Sequence, residues 1–409
     1  MVLRTYNSLT RRKEPFTVTG CVKMFVCGPT VYDYAHLGHA RTYIAFDIIV
    51  RYLKFLGYEV RYLMNITDVA DRILQRAAEL KKDPLDLARE YEGYFFEDMK
   101  ALGIGSVDRY LRASQYVTKM IAQVTGLVNR GIAYETDTGV YFEVRKFPRF
   151  GEMSAQTHEE LGLKRLELCS KKRNPEDFSL WRKYDSGLVW DSPWGHGRPG
   201  WHIEDTAISM TEFGETYDIH GGASELIFPH HEAEIAQAEA LSGKAPFVRF
   251  WLHTGLLSMK GRKMSKSLGN VIRIRDALKE YTAQEVRYYF ASFHYRQPVG
   301  ISDAGIKKAK RELASIVKNF EAFLGCQPTI KSSASGKKLT ALVRKAEVAF
   351  TQRMNDDFDT PKALRILLGL SRELAAQSKG IRTVDQSSKD TAEKAFRRMA
   401  GVFDILPQS

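Results

Sequence analysis

Val22-Lys23-Met24-Phe25-Val26-Cys27, followed by Gly28-Pro29-Thr30, is a short apolar run that stops at a turn signal. That pattern belongs to a buried strand entering a loop. From Leu37 to Leu56 the apolar residues recur at helical spacing, and Glu59 to Asn65 (EVRYLMN) reads as a second strand. Asp71 to Leu102 carries a largely helical pattern. A strand-loop-helix-strand opening predicts an α/β fold with a parallel sheet, whose ligands bind beyond the carboxyl ends of the strands.

Working outward, residues 108–200 are mixed: Val140 to Val144 looks like a strand, while Arg173 to Trp201 is rich in Pro, Gly and Trp. This stretch is expected to be an inserted mixed α/β region between two halves of the sheet domain, 1–107 and 201–303. From 304 to 409 the pattern turns helical. Ile306, Leu313, Val317, Phe320 and Leu324 mark one helix face, and Gln327 to Lys338 is polar enough to be a linker. Asp359-Thr360-Pro361 is a cap followed by proline at the first helical position. A C-terminal α-helical bundle is the expectation.

The chain has 409 residues, 44% hydrophobic and 27% charged, which allows two or three cored domains and excludes a disordered polymer. A net charge of +12 favours a polyanionic partner, although a basic inert surface would give the same total. Cys21, Cys27, Cys169 and Cys326 show no paired spacing, so a reducing cytoplasm is expected. The first sixteen residues lack an apolar signal segment, and Asp47 and Arg51 interrupt the run from Ile44 to Leu53. No membrane association is expected.

Three constellations carry chemistry. His36-Leu37-Gly38-His39 opens the helix after the first strand, where the positive end of the dipole suits a triphosphate and Gly38 would let a flat ring approach. An HxxH metal pair or two solvated histidines would look the same. Lys263-Met264-Ser265-Lys266-Ser267 places two lysines on a Gly-flanked stretch suited to the charge of departing pyrophosphate, or to a basic surface turn. Third, His230 and Glu234 are four apart, Cys27 ends the first strand and Asp205 adds a carboxylate. These are acceptable zinc ligands, but a core thiol and a surface carboxylate fit the spacing too. No GxxxxGK[ST] phosphate loop occurs, and Gly195 to Gly200 matches GxGxxG without a clear preceding strand.

In order along the chain, Cys27 to Asp33 (CGPTVYD), His36 to His39, Asn65 to Asp68 (NITD), Gly200 to Glu204 (GWHIE), Asp218 to Gly222 (DIHGG), Phe228 to Glu232 (FPHHE) and Lys263 to Asn270 resemble the class I aminoacyl-tRNA synthetases, specifically the cysteinyl family. The resemblance covers most of the chain and implies a Rossmann-like catalytic domain. It implies that ATP, with Mg2+, is held by His36, Gly38, His39 and the segment Lys263, Met264, Ser265, Lys266 and Ser267. His36, His39, Lys263 and Lys266 would be catalytic. It assigns one zinc ion to Cys27, Asp205, His230 and Glu234, and the cysteine pocket to Gly28, Pro29, Thr30, Thr67 and Trp201. The implied partners are L-cysteine, ATP and tRNA(Cys). Many family members carry a second cysteine where this chain has Asp205, an archaeal-type variant. The family's final anticodon-reading module is expected to be missing beyond Ser409. That shortness keeps open a second acceptor, a small-molecule amine of the mycothiol-pathway kind.

Overall fold

The computed structural model describes residues 2–156, 171–259, 262–263, 271–328, 334–378 and 384–407. At its centre is a five-stranded parallel sheet of β1 (Val22–Val26), β2 (Val60–Ile66), β3 (Arg109–Arg112), β4 (Tyr217–Ala223) and β5 (Val248–Thr254). Their spatial order is β5-β4-β1-β2-β3. Every neighbouring pair is parallel. The order reverses beside β1, and the crevice between β1 and β4 is therefore where a doubly wound sheet takes its ligand. β1 is apolar nearly throughout, as a strand covered on both faces must be.

Helix α1 (Leu37–Phe55) makes the first crossover, with His36 as its N-cap and Lys54 near its carbonyl end. The helical stretch expected from 71 to 102 is two helices, Asp71–Leu80 and Pro84–Ala101, split where Lys81 adopts a left-handed φ of 53°. Arg109–Arg112, inside the range assigned to the insertion, pairs with β2 in the central sheet. The inserted chain that follows contains helix Val117–Asn129 and an antiparallel sheet of Ala133–Glu135, Gly139–Phe142, Phe178–Lys183 and Gly197–Pro199. It has a separate core built on Val124, Phe142, Phe178 and Trp181. The GxGxxG-like run therefore lies on an antiparallel strand, not at a dinucleotide turn.

Helices α2 (Trp201–Phe213) and α3 (Glu232–Ser242) flank β4 in sequence and carry Trp201, His202, Glu204, Asp205 and Glu234, discussed below. The C-terminal bundle comprises α4 (Asp303–Leu324), α5 (Ala334–Met354), α6 (Thr360–Ser378) and α7 (Gln386–Gly401). Leu313 and Phe320 are buried as the spacing predicts. Part of the expected polar linker, residues 334–338, instead forms the first turn of α5. A charged clamp fixes the bundle's end to the sheet domain. Arg287, 1% exposed, donates to Asp47 Oδ2 at 2.5 Å and to the carbonyl of Phe403 at 2.8 Å. Among the described residues no helix is long and apolar enough to cross a membrane.

Candidate functional site

The loop after β1 is shaped by backbone contact. Cys27 N–H donates to Gly221 O of β4, and Thr67 N–H donates to Pro29 O. Thr30 and Thr67 form a parallel bridge, so the loops after β1 and β2 run side by side. Gly28, Pro29, Thr30 and Thr67 accordingly share one wall. Thr67 Oγ1 donates to Glu204 Oε2 of α2 at 3.0 Å.

All four sequence-derived metal candidates converge at the carboxyl end of β1. Cys27 Sγ lies 3.0 Å from Asp205 Oδ2, and His230 Nε2 lies 3.2 Å from that same oxygen. His230 Nε2 is also 3.1 Å from Glu234 Oε1, one helical turn on. The cluster contains two further imidazoles: His220 Nε2 and His231 Nε2 sit 3.3 and 3.0 Å from Cys27 Sγ. Cys27, His230, His231 and Glu234 can offer atoms to one ion, as can Cys27, Asp205, His220 and Glu234. The outer nitrogens are held in turn. His220 Nδ1 is 2.5 Å from the Tyr217 hydroxyl, His231 Nδ1 is 2.7 Å from His253 Nε2, and His202 Nδ1 is 2.9 Å from His230 Nδ1.

The electrostatics of this cluster call for a cation. Burial pushes the Cys27 thiol well above its usual range, with Asp205 and Glu234 adding to the rise. Burial, then Asp205, raises Glu234 likewise. Burial pushes His202, His220 and His231 well below the usual imidazole value, with neighbouring histidines adding to the fall. It takes His253 down to about 3. For these four imidazoles the neutral form is favoured. Among the described residues, no lysine or arginine is bonded to Cys27, Asp205 or Glu234, and neither oxygen of Glu234 accepts a hydrogen bond. Buried carboxylates without such partners are costly, and a thiol, imidazoles and carboxylates are donors that a divalent cation accepts. The residues fit a metal.

Trp201 closes the cluster from outside. Its ring is stacked on His230 with centroids 4.2 Å apart, yet the residue remains 42% exposed. The indole thus covers a candidate ligand while part of its surface stays exposed.

The motif His36-Leu37-Gly38-His39 occupies the N-terminus of α1. His36 Nδ1 accepts from Gly38 N–H at 3.1 Å, and His39 Nδ1 accepts from the His36 N–H at 3.2 Å. The two rings stack with centroids 3.9 Å apart. Each ring thus uses its Nδ1 to cap the helix. His36 forms an antiparallel bridge with Arg273, and Leu37 N–H donates to Ile272 O. Arg262–Lys263 pairs antiparallel with Leu257–Met259. The backbone on either side of the second motif is thereby tied down, its far side directly to the first motif. Met264, Ser265, Lys266 and Ser267 lie outside the described residues.

Residues 14–311 match the catalytic-domain family described as tRNA synthetases class I (C), and residues 349–407 match the DALR domain. Cysteine–tRNA ligase of Thermococcus onnurineus is 44% identical over 99% of this chain and 87% of its own length. The chain belongs to the class I cysteine–tRNA ligase family. The cysteine–tRNA ligase of Moorella thermoacetica is 44% identical to this synthetase over 97% of the chain and 85% of the relative. The structure of a methionyl-tRNA synthetase from Mycobacterium tuberculosis shares the fold, with a TM-score of 0.65 and 18% identity over 95% of this chain and 90% of that one. Family membership removes the small-amine acceptor as an alternative.

His220, His231, His253, Asn65 and Glu204 were given no role by the sequence reading. His220 and His231 stand inside quoted motifs, and histidine beside a candidate ligand was the available signal. His253 and Asn65 join the site through a parallel neighbour strand and a side-chain bond, which no local spacing reveals.

Proposed function

We propose that this protein is a cysteine–tRNA ligase in which the buried cluster recognises the substrate thiol. It joins L-cysteine to ATP, giving cysteinyl-adenylate and pyrophosphate, and passes the cysteinyl group to the 3′ end of tRNA(Cys), releasing AMP. The observation that carries the assignment of cysteine is the meeting of Cys27, Asp205, His230 and Glu234 at the carboxyl ends of β1 and β4.

Cys27, Asp205, His230 and Glu234 would hold the zinc ion. Zinc supplies a soft acceptor for the substrate thiolate that serine's hydroxyl cannot match, whereas shape alone separates such small differences by only about 1–3 kcal/mol. The exposed surface of Trp201 and the wall of Gly28, Pro29, Thr30 and Thr67 orient the bound amino acid so that its carboxylate meets the α-phosphate. The N-terminus of α1 binds the phosphates, with Gly38 giving the adenine room. His36 and His39 stand at that terminus, where charge develops during transfer, and Lys263 and Lys266 take up that of pyrophosphate with Mg2+. The protein thus works by positioning and charge stabilisation, and no side chain is required as nucleophile. The DALR match supports tRNA as the acceptor. The free thiols Cys21, Cys27 and Cys326 suit a cytoplasmic setting.

The test is charging of tRNA with labelled cysteine alongside pyrophosphate exchange. Cysteine-dependent exchange and cysteinyl-tRNA are both expected. Robust adenylate formation without charged tRNA would sink the assignment of the acceptor.

A further inference from the structure

Asn65 stands near the carboxyl end of β2, is 2% exposed, and has no part in the chemistry above. Its carboxamide makes three contacts at the site. Oδ1 accepts from the Gly28 backbone N–H at 2.6 Å. Nδ2 donates to Asp205 Oδ1 at 2.6 Å and to Thr67 Oγ1 at 3.3 Å. The Gly28 contact decides which way the amide faces, because a backbone N–H can only donate and so must meet the amide oxygen. The amide nitrogen is thereby turned to Asp205. The close passage of the two chains here requires glycine at 28, where a Cβ would sit 1.7 Å from the backbone carbonyl oxygen of Asn65.

The consequence falls on Asp205. An aspartate has two oxygens, so as a ligand it can present either one or both. Here Oδ1 is taken by Asn65, and Oδ2 is the oxygen left facing Cys27 Sγ and His230 Nε2. We propose that Asn65 is a positioning residue that makes Asp205 a one-oxygen ligand of fixed orientation. A single donor atom per residue is what a four-coordinate zinc site takes. A thiolate at 205 would have no second donor atom to restrain. The inference rests on the reading of the cluster as a zinc site.

The test is a cycle of four proteins: unmutated, Asn65→Ala, Asp205→Cys, and the double variant, with zinc affinity measured by chelator competition. With aspartate at 205, Asn65→Ala should lower zinc affinity about 10–100-fold, the usual effect of losing a residue that orients a ligand. With cysteine at 205 the same change should leave zinc affinity nearly unaltered. Asn65→Asp keeps the size and the acceptor for Gly28 but loses the donor. It should also weaken zinc binding, and replaces the alanine variant if that one fails to fold. Equal losses in both backgrounds would report a general loosening of the site and overturn the positioning role. Unchanged affinity in Asn65→Ala would overturn it too. An unmutated protein that takes up no zinc defeats the metal reading itself, and this inference with it.

Discussion

Replacing Arg287 by methionine tests whether the clamp between the sheet domain and the bundle sets the geometry for charging. In the intact protein the guanidinium meets Asp47 at 2.5 Å and the carbonyls of Phe403 and Leu102 at 2.8 and 3.2 Å. Arg287→Met leaves a fully buried carboxylate with Arg51 as its remaining cation, at 2.7 Å. Breaking a buried pair from one side costs about 3–5 kcal/mol, and the retained Arg51 puts the expected loss at the lower end, about 3 kcal/mol. Burial by itself would raise Asp47, but Arg287 and Arg51 together hold its carboxyl below the usual carboxylate range. Its contribution to stability is therefore present above the unfolded value of about 3.9 and is lost as pH falls through the lower folded value. In the variant burial is no longer opposed by Arg287, the largest of the groups that lower the carboxyl, so the folded value rises and the stability that depends on the ionised form shrinks. The gap between the two proteins, measured by urea unfolding, should be widest near neutrality and should narrow on acidification. Pyrophosphate exchange should survive better than tRNA charging, because Phe403 belongs to the bundle side of the clamp. A loss well under about 1 kcal/mol, the range of exposed pairs, or a gap independent of pH, would refute the reasoning.

Three other outcomes are expected. Cys27→Ala should lose bound zinc and the preference for cysteine over serine together; unchanged metal content with unchanged preference would remove Cys27 from the ligand set. Trp201→Ala should raise KM for cysteine about tenfold while leaving KM for ATP in place, since the indole is proposed to hold only the amino acid; equal effects on both substrates would refute that division. His36→Ala removes the cap of α1 and should cost about 0.5–2 kcal/mol in stability. It should also slow pyrophosphate exchange about 100-fold or more, and full exchange activity would refute its role at the phosphates.

Much of this architecture is legible in the chain before folding. The apolar run ending at Cys27 and the periodicity from Leu37 are local signals, and local signals suffice for a strand, a cap and a helix. They also suffice to pair His230 with Glu234, one turn apart on the chain's path into α3. What the pattern could not supply was the neighbour relation of β1 and β4, which brings His220 beside Cys27, or of β4 and β5, which brings His253 behind His231. Arg109–Arg112 is too short and too charged to announce itself as a sheet strand, so the insertion's start was drawn before it. The polar run 334–338 was read as linker because composition alone does not register that Ala334 begins a helix. Asn65 was visible only as one letter of a motif; its function depends on a glycine 37 positions earlier and an aspartate 140 positions later.

The sheet order carries a consequence for synthesis. β1 has β2 on one side soon after it emerges, but its other edge waits for β4. Cys27 and Asp205 are 178 positions apart, and His231 is 204 positions beyond Cys27. A nascent chain that has not reached residue 205 carries one of the four proposed ligands, with an unpaired strand edge beside it. Contacts of such long range form late and leave that edge open to wrong partners meanwhile. The proposed ligand set is thus complete only once Glu234 has been made, late in the synthesis of each molecule.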